Sequence, residues 1–136
     1  MPLVVDASVA LAWCFADEEN DLASRALEVA ARQGMLVPSI WLYEIANVLF
    51  LGVRRDRLGP GDLPQVIGLF ERLQITAVDL ALDDLVGEVA SLALEHGLSV
   101  YDASYLFLAL RERAPIATAD RRLLAAAEAA GCVVFA

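Results

Sequence analysis

Short, nearly continuous apolar runs alternate along this chain with longer stretches of helical periodicity. The runs lie near Leu3–Val5, Met35–Val37, Ile75–Val78, Pro115–Thr118 and Cys132–Phe135. A strand with one wet face alternates apolar and polar residues. These runs do not alternate, so they read as strands buried on both faces. Helical patterns fill the intervals, roughly Val9–Phe15, Leu22–Arg32, Ser39–Gly52, Pro60–Leu73, Leu80–His96, Asp102–Arg113 and Arg121–Ala130. Three of the helices stop at a glycine, at Gln33-Gly34-Met35, His96-Gly97-Leu98 and Ala130-Gly131-Cys132. Glycine suits a helix end because it adopts the left-handed conformation without a Cβ clash. The rhythm predicts an α/β fold in which a parallel sheet lies between helical layers.

At 136 residues the chain predicts one domain with a core that needs no disulfide or zinc support. Hydrophobic residues make up 59%, yet no run approaches the ~20 apolar residues that span a bilayer. The opening Met-Pro-Leu-Val-Val-Asp has no basic region and no signal-peptide core, which predicts a cytoplasmic protein with no membrane association. Cys14 and Cys132 stand far apart without clustered histidines, so they read as reduced core thiols rather than zinc ligands. The one histidine, His96, has no partner for metal binding or catalysis. All ten basic residues are arginine. The lack of lysine excludes a Schiff base, a Walker A phosphate loop and a phospho-aspartate receiver site. A net charge of −9 argues against gripping nucleic acid over the whole surface. The stretch Val53–Pro64, rich in Gly, Pro and charge, reads as the turn of a helical hairpin around residues 39–73.

Four carboxylates interrupt this apolar background at telling places. Asp6 ends the first apolar run, and Asp120 closes another just before a helical pattern. Asp102 lies at a loop-to-helix junction, and Glu44 is the only charge between Val37 and Val53. Each has a structural reading. Asp102 and Asp120 suit helix N-caps. Glu44, with Asn47 on the same face, suits the wet side of an amphipathic helix. Asp6 is hardest to explain so, because a central buried strand rarely ends in an uncompensated charge. In an open α/β sheet, ligands bind outside the carboxyl ends of the strands. Acids gathered there repel one another unless a divalent cation holds them.

Taken in order, Val-Val-Asp6-Ala-Ser8, Tyr43-Glu44-Ile-Ala-Asn47, Tyr101-Asp102-Ala-Ser-Tyr-Leu-Phe and Thr118-Ala-Asp120-Arg-Arg resemble the PIN-domain family. A free-standing chain of this length resembles its VapC-type toxins. The resemblance implies a three-layer α/β/α sandwich with a five-stranded parallel sheet. It also implies a Mg²⁺- or Mn²⁺-dependent endoribonuclease, homodimeric and silenced by a VapB-type antitoxin. Asp6, Glu44, Asp102 and Asp120 carry over as the acidic quartet, with Ser8 and Thr118 as hydroxyls beside it. Asp6, Asp102 and Asp120 would hold the metal, with Asp120 direct or through water. Glu44 would orient or deprotonate the attacking water. Two other readings stand beside the toxin: a PIN nuclease of RNA processing or DNA structures without an antitoxin, and a non-catalytic binding module.

Overall fold

A computed structural model describes residues 1–136. The strands are β1 (Leu3–Val5), β2 (Met35–Pro38), β3 (Ile75–Val78) and β4 (Ile116–Ala117). They form a single sheet in the order β3-β2-β1-β4, with every neighbouring pair parallel. Leu3, Val4 and Val5 point alternately to opposite faces, yet each is at most 1% exposed. β1 is therefore covered on both sides. Among the helices are α1 (Ala7–Cys14), α2 (Asp21–Gln33), α3 (Ile40–Arg54) and α4 (Asp62–Arg72). The chain moves from β1 to β2 to β3 in one direction, then returns past β1 to β4. Right-handed crossovers consequently place the helices before β3 on one face and those after it on the other.

The expected fifth strand at Cys132–Phe135 does not form; four strands are present, and Val134 makes only an isolated parallel bridge to Ile116. The cause lies in β4. It has two residues, because Thr118 and its neighbours turn away into the site described below; both pair with β1, and only Ile116 also reaches Val134. The pattern read over Leu80–His96 also breaks, into α5 (Leu82–Asp84), a π-helical turn (Leu85–Val89) and α6 (Ala90–His96). The widened turn contains Gly87 and brings Val89 to full burial in a cluster with Ala93, Ala103 and Phe107. Gly34, Gly97 and Gly131, at the three predicted helix ends, all have positive φ. At Gly34 a Cβ would also lie 3.1 Å from the Gln74 carbonyl, where β2 and β3 begin to pair.

α3 and α4 are joined by the segment 55–61, which is stitched to the end of α1. The Arg57 guanidinium lies 4.0 Å from the Phe15 ring centroid and pairs with Asp17 at 3.1 Å. Beneath it, Gly52 leaves room for Phe15 and Leu58, whose carbons would stand 3.0–3.1 Å from an added Cβ. Trp41 belongs to the core of this chain, 3% exposed and edge-on to Phe70 at 5.6 Å. Cys14 is buried, and burial pushes its thiol up to about 11, so it is inert at neutral pH. No helix is long and apolar enough to cross a membrane.

Gly52 yields the first prediction. Replacing an exposed mid-helix glycine by alanine ordinarily stabilises by about 1 kcal/mol. At Gly52 the clash with two buried side chains reverses the sign, so Gly52→Ala should destabilise by about 1–3 kcal/mol. Urea unfolding measures it; a rise in the midpoint would show that Phe15 is not pinned.

Candidate active site

The carboxyl ends of β1 and β4 lie side by side at the point where the strand order turns back on itself. Asp6 follows β1 and caps α1, accepting from the Val9 N–H at 3.3 Å. The same oxygen, Oδ1, accepts from the Ser8 hydroxyl at 2.6 Å. Oδ2 accepts from the Thr118 hydroxyl, also at 2.6 Å, across the gap between the two strands. Both hydroxyls are themselves held. Ser8 Oγ accepts from the Ala119 N–H at 2.9 Å, and Thr118 Oγ1 accepts from the Asp120 N–H at 3.0 Å. Asp120 caps α8 (Arg121–Ala129), accepting from the Arg122 and Leu123 N–H groups at 2.8 and 3.1 Å.

Asp102 does not cap its helix. Ser99 caps α7 (Val100–Glu112) by accepting from the Asp102 N–H at 3.1 Å, and the Asp102 carboxylate stands beside it in the first turn. A negative charge there is favoured by the helix dipole. α7 packs against β1, β2 and β4, and so carries Asp102 to the same edge of the sheet. Glu44 sits on α3 half-buried, and its Oε1 accepts from the Tyr105 hydroxyl of α7 at 2.6 Å. Sequence reasoning missed Tyr105. The available signal was its position three residues after Asp102, which puts both on one face of the helix. Asn47, one turn from Glu44, is exposed and takes no part in these bonds.

The acids feel one another. Burial pushes Asp6 up to about 6 against the opposing hydrogen bonds of Ser8, Thr118 and Val9, and the Asp120 charge raises it further. Burial also raises Glu44, with the Asp102 charge adding to it, and raises Asp102, with Asp120 adding. Four carboxylates from distant parts of the chain are thus linked through their fields in the order Glu44, Asp102, Asp120, Asp6. Tyr105 is raised by burial and by its bond to Glu44, so it stays protonated and remains a donor. As placed, no three of these acids converge closely enough to ligate one ion. The donor set is nonetheless all hard oxygen in coupled pairs. That suits a small divalent cation which uses one or two carboxylates and keeps several waters.

A family model for the PIN domain matches residues 3–129, nearly the whole chain. The chain belongs to the PIN-domain family. Ribonuclease VapC3 of Pyrobaculum aerophilum is 34% identical over 127 residues, covering 90% of this chain and 92% of that protein. Ribonuclease VapC9 of Mycobacterium tuberculosis is 37% identical over 122 residues, covering 89% and 87%. These likenesses put this PIN domain among the VapC-type members. The crystal structure of PAE2754 from Pyrobaculum aerophilum superposes with a TM-score of 0.69 at 27% identity, covering 93% of this chain and 86% of that one. The PIN fold thus accounts for the arrangement of strands and helices.

The electrostatics of Asp6 make a signed prediction. Its folded pKa lies above the unfolded one, so its contribution to stability is fully present below about 3.8 and is lost as pH rises through about 6. At pH 7.5 the ionised carboxylate costs the metal-free fold about 3 kcal/mol. Asparagine mimics the protonated acid and still caps a helix. Asp6→Asn should therefore melt higher than the native chain in EDTA at pH 7.5, with the gap closing towards pH 4. A lower melting temperature at pH 7.5 would show that the three hydrogen bonds outweigh the buried charge.

Proposed function

We propose that this protein is a Mg²⁺- or Mn²⁺-dependent endoribonuclease, the toxin of a VapBC-type pair that acts in the cytoplasm. The observation that carries the reading is the electrostatic linkage of Asp6, Glu44, Asp102 and Asp120 at the carboxyl edge of the sheet. Two VapC relatives named as ribonucleases, aligned over nearly nine-tenths of the chain or more, support RNA as the substrate. Asp6 and Asp102 are the residues to hold a cation, with Asp120 beside them directly or through water. Bound there, the cation would lower the pKa of a water and offset charge on the phosphoryl oxygens.

The chain's own residues do the rest. Ser8 and Thr118 fix the Asp6 carboxylate from both sides, so it keeps its position whether or not its charge is compensated. Tyr105 holds Glu44 by one oxygen, Oε1, and leaves Oε2 to orient a water or take its proton. Arg121 and Arg122 open α8 beside Asp120, exposed and in no ion pair. Basic residues in a first turn oppose the helix dipole, so their place is better explained by a phosphate than by helix stability.

Two surfaces suit partners. Leu42, Ala46, Phe50 and Val53 are exposed along one stripe of α3, which fits the flat contact of a homodimer. Between α4 and the α1–α2 corner, a cavity of about 680 Å³ is walled by Trp13, Phe15, Leu27, Leu58 and Val66. A groove of this kind suits an amphipathic segment of a VapB-type antitoxin.

One observation favours a variant of this reading. A Pyrobaculum aerophilum relative named Exonuclease VapC9 is 31% identical over 98 residues, covering 69% of this chain. Circular RNA separates the two, because only an endonuclease opens it. With Mn²⁺, the native chain should open the circle. Asp102→Asn should cut at least about a hundredfold more slowly while melting normally in EDTA. Native-like cleavage by Asp102→Asn would remove that residue from the site.

Partner and metal are tested without activity. Millimolar Mn²⁺ should raise the melting temperature at pH 7.5, and less so at pH 5, where the carboxylates protonate. Light scattering should find a dimer, and a larger complex with the product of the adjacent gene. A monomer indifferent to that product and to Mn²⁺ would leave only the non-catalytic reading.

A further inference from the structure

Beside the acidic site, at the carboxyl ends of β2 and β3, lies a second and smaller cleft of about 260 Å³. Leu80, Leu85 and Val100 line it, with Tyr101 also on its wall. Ser39 and Asp79 form its polar end, where the Ser39 hydroxyl donates to Asp79 Oδ1. This bond fixes the carboxylate's orientation, and Oδ2 has no partner within the protein. Tyr101 immediately precedes Asp102 and is 63% exposed, although its ring is large and apolar. The cleft is therefore continuous in sequence with the proposed cation site and carries a flat aromatic surface, an apolar wall and one oriented carboxylate.

That combination selects its occupant. A carboxylate repels a phosphate, so a nucleic acid strand crossing this edge must present a base here and keep its backbone elsewhere. Arg121 and Arg122, in no ion pair and beside Asp120, the neighbour of Asp102 in the acid row, suit that backbone. Unpaired bases in RNA are commonly stacked on aromatic side chains and hydrogen-bonded along their Watson–Crick edges. Guanine alone offers two adjacent donors, N1–H and the 2-amino group, to one carboxylate. We propose that this cleft reads an unpaired guanine of the RNA substrate, stacked on Tyr101 and donating to Asp79, next to the scissile bond. The proposal rests on the ribonuclease reading, which it extends to sequence preference.

Two experiments test it and keep its failure separate from that reading's. First, sequencing the ends cut from a random RNA pool in Mn²⁺ should find guanine enriched at one fixed position from the cut. Asp79→Asn should lower that enrichment about tenfold, and inosine, which lacks the 2-amino group, should be a poorer substrate at that position. Tyr101→Ala should raise KM about tenfold or more, with a smaller change in kcat, because stacking on an aromatic ring contributes to binding the base. Second, fluorescence anisotropy of a labelled hexamer with one guanine, on Asp6→Asn in Mg²⁺, should show tighter binding than its adenine counterpart. Asp79→Asn in that background should erase the difference. RNA cleavage with an unchanged cut pattern in Asp79→Asn would overturn the guanine site while leaving the nuclease standing. Equal binding of the two hexamers would overturn it even if no RNA is cleaved, and would assign the cleft to another occupant such as a protein partner.

Discussion

A carboxylate buried between two strand ends organises this structure. Asp6 is 5% exposed and accepts hydrogen bonds from Val9, Ser8 and Thr118, yet burial still leaves its ionised form unfavourable. The chain maintains that cost with groups that do several things at once. Ser8 and Thr118 satisfy Asp6 and also accept the Ala119 and Asp120 amides, so the two crossing loops are fastened to each other. Removing either hydroxyl would free an acid and an amide together. Two residues of β4 suffice as a strand because this fastening continues where the sheet stops. A site with stored electrostatic cost fits the proposed cation dependence, since the charge that destabilises the metal-free fold would also attract a cation.

The fold was readable because its determinants are local and periodic. Apolar runs at Leu3–Val5 and Ile75–Val78 sit at the observed strands, and glycine marks the ends of α2 and α6 through its positive φ. The expected burial on both faces holds for β1 but not for β3, an edge strand whose Thr76 and Ala77 are exposed. What escaped depends on contacts rather than pattern. Cys132–Phe135 looks like a strand in composition, but pairing needs a partner, and β4 has only two residues to offer. The break in the helix at Leu85–Val89 likewise follows from Val89 reaching the core, which no periodicity reveals. Trp41 stands on a helix apolar enough to serve either the core or an interface, and the fold places it inside against Phe70.

Within the candidate site the same division holds. Asp6, Asp102, Glu44 and Asp120 stand out because a charge in an apolar stretch is visible in one dimension. Their mutual influence belongs to three dimensions. Asp102 looked like a helix cap, and Ser99, three residues earlier, does that work instead. Tyr105 lay hidden in Ala103-Ser104-Tyr105-Leu106-Phe107, where a tyrosine reads as packing. Its hydroxyl is committed to Glu44 across 61 residues of chain. A polar tip on an apolar body serves both roles, and only the position of its partner separates them.

The bonds joining Asp6 to Thr118 and Ser8 to Ala119 close loops of 112 and 111 residues. Contacts this distant have a consequence for the order of events during synthesis. A ribosome emits the chain from its first residue, and β1 has no β4 to pair with until almost everything else has emerged. A nascent or truncated polypeptide that ends before Thr118 lacks the hydroxyl that holds Asp6 Oδ2 and has no loop to bear Asp120. The complete set of four acids thereby exists only in chains extended past Asp120, and the interval in which a partner can meet an assembled site begins only there.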